Sequence, residues 1–399
     1  MNRVHDLAEE RGLRDALQFL TREKQWINER HLELCRIAAP TFLEAGRAKW
    51  MAAQFEALGC ETRIDRAGNV LALPVKNAAG PFVALAAHLD TVLAPKSGDE
   101  IATAPGGRFT GPGVCDNGAG LAALLAVARA IAPQPLENLL LVATVGEEGE
   151  GNLNGMRHLC GQSAIGKKIA AFVVLDGAGT DHITTQALGS RRFEVAFTGP
   201  GGHSWSDYGT ANPVHALSRV VADVSDIKLN GAPRATLNIG VIEGGTSVNS
   251  IPAEARAKID IRSESNDKMD ELVGLLERAV GRALERENER ATGGKAAVRM
   301  REIGARPAGR LPAEAAILAH LRAVDAHLGI RARLDCASTD ANIPLALGIP
   351  AVSIGAGGQG GGAHTAQEWF SPDGRDLGLK RILLTLALLL REPAAGGGA

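Results

Sequence analysis

Apolar residues along the chain change their spacing three times. Residues 12–33 and 41–58 carry apolar positions at helical intervals, and Gly59 closes the second run. Short strands are expected at 61–65 and 69–74. Continuous apolar runs follow at 82–87 (FVALAA), 138–145 (NLLLVATV) and 170–176 (AAFVVLD), with a helical stretch at 120–132 and another near 152–160. Buried apolar strands alternating with helices imply an α/β fold, a parallel or mixed central sheet covered by helices on both faces. Near residue 188 the pattern changes to strict alternation. The segments 191–199, 235–244, 254–263 and 296–303 read as half-exposed strands, with helices at 212–224 and 266–288 between them. That order predicts a small α+β, ferredoxin-like domain. After Pro307 the first style returns: a helix at 313–328, a short one near 340–347, an apolar strand at 349–355 and a last helix at 376–391. The chain is thus expected to form one α/β domain from 1–187 and 305–399, with 188–304 inserted, and a disordered PAAGGGA tail.

Composition narrows the function classes. At 399 residues, 45% hydrophobic and 22% charged, the chain has the make-up of a soluble two-domain protein. A net charge of −2 and 4% aromatic residues give nucleic acid and anionic membranes no evident purchase. The charged beginning lacks the apolar run of a signal peptide, and no stretch approaches a membrane span. Five scattered cysteines without a Cys-x-x-Cys pair read as buried, reduced thiols, Cys115 included, which points to the cytoplasm.

Chemistry gathers where apolar strands end. His88 and Asp90 lie on one side of a strand end, as a metal-bound histidine and its supporting carboxylate do; a satisfied core pair would look the same. Asp116, in GPGVCDNGAG, stands just before an apolar helix, where it is either a ligand or the helix N-cap. Glu147 and Glu148 leave the 138–145 strand together; adjacent carboxylates beside a core repel each other unless a cation or proton intervenes, although a solvated acidic loop is the plainer account. Asp176 ends another apolar strand, as a site residue or a turn aspartate. His364 follows the glycine-rich GAGGQGGG, which has no P-loop lysine and so no case for phosphate. Taken together, two histidines and three or four carboxylates at sheet-edge positions suit two divalent ions. With no thiolate among them, zinc, cobalt and manganese are the candidates.

This set of motifs resembles the co-catalytic metallopeptidase family of tripeptide aminopeptidase, glutamate carboxypeptidase, aminoacylase and acetylornithine deacetylase. The likeness runs over almost the whole chain and is nearest to the peptidase branch. It implies that Asp116 bridges two metals, His88 and Asp176 completing one site and Glu148 and His364 the other. Asp90 would support His88, and Glu147 would be the general acid/base. The inserted domain would act as a lid and dimerisation module. It would bring His203 of GPGGHSW to the active site, with Asn249 (TSVNSIP) and Arg262 (IDIRS) binding the substrate. By themselves, His203 reads as a loop histidine and Arg262 as a solvated arginine; His158, His182 and His215 fall outside every motif. The resemblance implies a homodimeric enzyme that cleaves a C–N amide bond through a water shared by the two cations, most simply as an exopeptidase or dipeptidase. A hydrolase of N-acyl amino acids, or of carbamoyl, aryl-amine or other amide substrates, on the same centre is the alternative, and a non-catalytic binding protein a third. One departure is Gly118, where many relatives have lysine two residues after the bridging aspartate.

Overall fold

A computed structural model describes residues 2–391; the tail expected to be disordered lies outside them. The chain divides into two compact units, Met1–Ala187 with Arg310–Ala399, and Leu188–Gly309. The second boundary lies five residues beyond the position read from sequence, because the last strand of the second unit, Ala297–Arg306, continues past a bulge at Glu302/Gly304 to pair Arg306 with Ser190. Asn266 then accepts the Ala308 amide at 2.8 Å, which keeps that segment with the second unit.

The first unit is built on a nine-stranded mixed sheet. Its middle consists of four parallel strands in the order Leu139–Thr144, Phe82–His88, Ile169–Leu175 and Ala351–Ile354. All four are apolar along their length because helices cover them; the helix Gly118–Ile131 is itself buried almost all round. Register sets where these strands stop. His88 stands opposite Thr144, Ala87 opposite Leu175, and Leu175 opposite Ile354. The four strands therefore finish level, and the loops that leave them start from one edge.

Several details differ from the sequence reading. The expected helix at 12–33 is two helices, Arg11–Arg22 and Lys24–Cys35, separated where Glu23 leaves helical geometry (φ −89°, ψ 33°). Its apolar spacing fits one helix or two, so only the backbone decides. The helix expected from 41 begins at Ala45, since Pro40–Leu43 forms a turn. Unforeseen strands occur at His182–Ala187 and Arg333–Ala337. So does a small sheet ordered Gln359–Gly361, Trp369–Ser371, Phe109–Thr110, Ala102–Thr103, whose strands are too short and glycine-rich to show a period.

The second unit is a four-stranded antiparallel sheet, ordered Ala235–Gly244, Glu254–Ser263, Gly189–Thr198 and Ala297–Arg306. Helices Pro213–Ser225 and Asn266–Arg290 pack on it through Leu217, Val220, Leu272 and Leu276. Asn212 and Ser265 cap these helices by accepting backbone amides with their side chains.

Candidate metal centre

Strand ends place His88, Asp176 and the Glu147–Glu148 pair; Asp116 comes from the loop before a helix and His364 from the glycine-rich loop. His88 is the last residue of Phe82–His88 and is 2% exposed. Its Nδ1 donates to the Asp90 backbone carbonyl at 3.0 Å, with the Asp90 carboxylate farther off at 3.6 Å. That bond fixes the ring, so that Nε2 faces Asp116 Oδ1 at 3.0 Å and Asp176 Oδ1 at 3.9 Å. The buried Asp90 carboxylate is occupied elsewhere. It accepts the backbone amides of Glu147 (3.0 Å) and Glu148 (2.9 Å) and the Thr41 hydroxyl (3.0 Å). One carboxylate thus anchors the loop that carries both glutamates.

Asp116 is not the cap of the helix that follows it. Asn117 is: its Oδ1 accepts the Gly120 amide at 3.1 Å, while its Nδ2 donates to the Leu175 carbonyl at 2.8 Å. The cap also ties the helix start to the strand that precedes Asp176 and leaves the Asp116 carboxylate available. His364, in a left-handed conformation (φ 64°) within the glycine-rich loop, places Nε2 3.1 Å from Asp116 Oδ2 and 2.9 Å from Glu148 Oε1. A bulky residue at positive φ costs backbone energy and is kept only where the surroundings dictate it.

Three trios of ligating atoms result, the members of each lying within 4.8 Å of one another: His88–Asp116–Asp176, Asp116–Glu148–His364 and His88–Glu147–Glu148. Asp116 belongs to two of them. His88 Nε2 and Asp116 Oδ1 are buried, point at each other, and neither completes a hydrogen bond. Orphaned nitrogen and oxygen donors aimed at a common space suit a divalent cation.

Crowding perturbs the protonation of the cation-free cluster. Burial lowers the affinity of His88 for its proton, but the Asp116, Asp176 and Asp90 carboxylates more than reverse this and hold it well above the usual histidine value. Burial pushes the Glu148 carboxyl up to about 7. The hydrogen bond to Asp116, joined by the charge of Glu148, raises His364 to about 9 against a smaller effect of burial. Burial would raise Asp116 too, yet the hydrogen bond with His364 and the charge of His88 beside it keep it ionised far below the ordinary range.

Gly118 has a local explanation. A Cβ there would lie 2.5 Å from Cys35 Sγ, 2.6 Å from the Gly113 carbonyl and 2.8 Å from His31 Nε2. His31 fills this space as a neutral ring: Arg375 donates to its Nδ1 at 2.7 Å, so Nε2–H donates to the Val114 carbonyl at 2.7 Å. Burial lowers the His31 pKa accordingly. A lysine cannot enter here.

The second unit holds the other three candidates. His203 pairs with Ser250, and the Asn249 carbonyl accepts the Ser204 amide at 3.0 Å, so His203 and Asn249 are neighbours. His203 Nδ1 accepts the amides of Trp205 (3.2 Å) and Ser206 (3.4 Å), which leaves the ring proton on Nε2. Arg262 is not with them. It pairs with Ser190, at the other end of the strand that leads to His203, and its Nε donates to Asp260 at 2.7 Å. Eight residues of extended chain separate those ends by about 25 Å.

The sequence reading missed Asn117, Asp340 and Glu368. Asp340 is buried beneath the strand edge, bonded to the Thr144 hydroxyl, with its carboxyl raised to about 6 by burial. Glu368 stands four residues after His364, between a polar stretch and the apolar Trp369–Phe370. That was the only signal, an acid at the threshold of a strand.

Comparison with known proteins places this arrangement in context. A succinyl-diaminopimelate desuccinylase of Caulobacter vibrioides is 27% identical over 270 residues, 63% of this chain and 69% of that protein. A "Probable carboxypeptidase" of Neosartorya fischeri is 30% identical over 215 residues, 49% of this chain. The chain spans about half the length of that relative, 48%. A tripeptidase from Staphylococcus aureus shares the fold at a TM-score of 0.76 and 21% identity, with 93% of this chain and 99% of that one covered. An amidase of the hydantoinase/carbamoylase family from Burkholderia vietnamiensis does so at 0.70 and 18%, with 93% and 98% covered. The profile of one family takes in residues 84–388, from the strand that ends in His88 to the last helix, with every group of the candidate centre inside it. By that match the chain belongs to peptidase family M20/M25/M40, whose members are metal-dependent hydrolases of C–N amide bonds.

Proposed function

We propose that this protein hydrolyses a C–N amide bond in a small peptide, as an exopeptidase or dipeptidase, with two divalent cations bound at the sheet edge. The observation that carries the reading is the membership of Asp116 in two ligand trios. His88 and Asp176 complete one cation site, Glu148 and His364 the other, and zinc is the ion that the histidine and carboxylate donors suit best, ahead of cobalt and manganese. When bound, the cations would polarise the scissile carbonyl and acidify water.

The chain's own residues supply the rest. Glu147 is buried, and its amide is fixed by Asp90. The trio that includes it draws on His88 and Glu148, each already engaged in another trio, so Glu147 is left as the proton carrier. It takes a proton from the attacking water and delivers it to the leaving nitrogen. His203, with its proton on Nε2, is a donor suited to the oxygen on which charge develops. Asn249 acts beside it, and Arg262 holds the anionic end of the substrate.

One copy of the second unit cannot set His203 and Arg262 on a single small substrate across about 25 Å of sheet. A homodimer, in which one copy lends His203 and Asn249 to the site of the other, removes the difficulty and gives the inserted unit its role as lid and dimerisation module. No helix among the described residues is long and apolar enough to cross a membrane. Together with five free cysteines, this supports a cytoplasmic enzyme. N-acyl amino acid hydrolysis is a second reading, favoured by the desuccinylase match, which covers 69% of that relative.

The test is a panel of dipeptides, tripeptides and N-acyl amino acids assayed with zinc, cobalt and manganese beside a count of bound metal. Cation-dependent release of an amino acid from peptides, with two ions per chain, is expected. Turnover of the acyl substrates alone would select the second reading, and turnover in chelator would reject both.

A further inference from the structure

Glu368 is 3% exposed and touches no reacting group, yet three backbone amides converge on its carboxylate. Oε2 accepts Gly113 N at 2.8 Å, and Oε1 accepts Cys115 N at 2.7 Å and Asp116 N at 2.8 Å. Its own carbonyl accepts Gly111 N at 3.0 Å. One residue thus gathers four amides of the 111–116 loop. Such a concave run of amides ordinarily receives an anion; here the chain supplies the anion itself. Glu368 also follows His364 by four residues and leads into Trp369–Ser371, which pairs with Phe109–Thr110 at the entrance of the same loop. The loop that bears Asp116 and the loop that bears His364 are therefore fastened together at one carboxylate.

We infer that Glu368 is a positioning residue that sets Asp116 and His364 in register before a cation arrives. The inference rests on the reading of Asp116 and His364 as ligands. Without the carboxylate, the three amides lose a charged acceptor, and the loop would have to be ordered by the cation at the expense of affinity. Glutamine does not substitute: its amide oxygen can serve Cys115 and Asp116, but its NH2 then faces the Gly113 N–H, donor against donor.

The test has two arms. In metal-free wild-type protein, hydrogen exchange at the Gly113, Cys115 and Asp116 amides should be at least 100-fold slower than in the exposed Gly106–Gly107 turn. Exchange at the turn's rate, slowed only on adding zinc, would show that the cation orders the loop and would overturn the inference, whether or not any variant folds. In the second arm, Glu368→Gln should bind cobalt about 10- to 100-fold more weakly, the range seen when the groups behind metal ligands are lost. Its cobalt absorption spectrum should change. At saturating metal kcat should fall about 10-fold or more, with KM within about twofold. A variant with a lowered melting temperature but wild-type cobalt affinity, spectrum and kcat would reduce Glu368 to a structural brace. Failure of wild-type protein to bind any divalent cation would instead overturn the ligand reading itself, so the two failures are distinguishable.

Discussion

The two units carry chemistry in opposite ways. In the first, His88, Glu147, Glu148 and Asp176 sit at or just past the ends of apolar strands, and Asp116 and His364 come from loops; all but the exposed His364 are buried or half-buried. Burial there pushes Glu148 up to about 7, and the hydrogen bond to Asp116 with the charge of Glu148 raises His364 to about 9. In the second unit the strands alternate and one face is open: Arg262 lies on that face of Glu254–Ser263, while His203 lies in a separate short pairing, Gly202–His203 with Ser250–Ile251, and is exposed. The first unit creates a local environment. The second presents donors whose effect depends on what they meet.

Four experiments put that contrast at risk. The largest effect is expected from Glu147→Gln, which should lower kcat by about 10³-fold or more, within reach of a lost general acid/base, while two cations remain bound. Elemental analysis beside steady-state kinetics checks it; loss of a cation would move Glu147 into the ligand set through its trio with His88 and Glu148. Next comes His203→Ala in the second unit. A lost oxyanion donor costs about 100-fold in kcat, and because the group lies outside the buried cluster, cation affinity should not change. A change in affinity would mean that the units do not divide the work as stated.

Third, cation affinity should rise with pH. Free of metal, His364 keeps its proton up to about 9 and Glu148 up to about 7, and both must lose it to bind a cation. Uptake at pH 7.5 should therefore release protons, readable by calorimetry in two buffers of different ionisation enthalpy. A pH-independent affinity between 6 and 9 would contradict the crowded cluster.

The smallest effect concerns Asp340. Burial raises its folded-state pKa to about 6, so the folded chain holds this proton more tightly than the unfolded chain. The contribution to stability is present below pH 4 and is lost as pH rises through 6. In chelator, Asp340→Asn removes that loss and should gain on the order of 3 kcal/mol on wild type between pH 4 and 7. Urea melts at the two pH values measure it; parallel curves would place the Asp340 carboxylate in a more polar setting than its burial implies.

The same contrast decides what could be read in the sequence. An apolar strand that stops at an acid or histidine is conspicuous, so His88, Glu147, Glu148 and Asp176 stood out, and the alternation of the second unit gave its strands and helices almost residue for residue. Asn117, Asp340 and Glu368 did not stand out, because their partners are backbone amides, carbonyls or a hydroxyl distant in sequence. Asp116 was ambiguous for a related reason: an aspartate before a helix looks like a cap until the neighbouring Asn117 is seen to fill that role. The break at Glu23 and the short strands around 102–110 and 359–371 left no periodic trace at all.

Everything proposed for the site turns on Asp116 being shared between two cations, and anomalous scattering from crystals soaked in zinc reads that sharing without an assay. Two peaks are expected, both within ligand distance of the Asp116 carboxylate, one also touching His88 and Asp176 and the other Glu148 and His364. A single peak, or a pair that leaves Asp116 uncoordinated, would contradict the shared carboxylate.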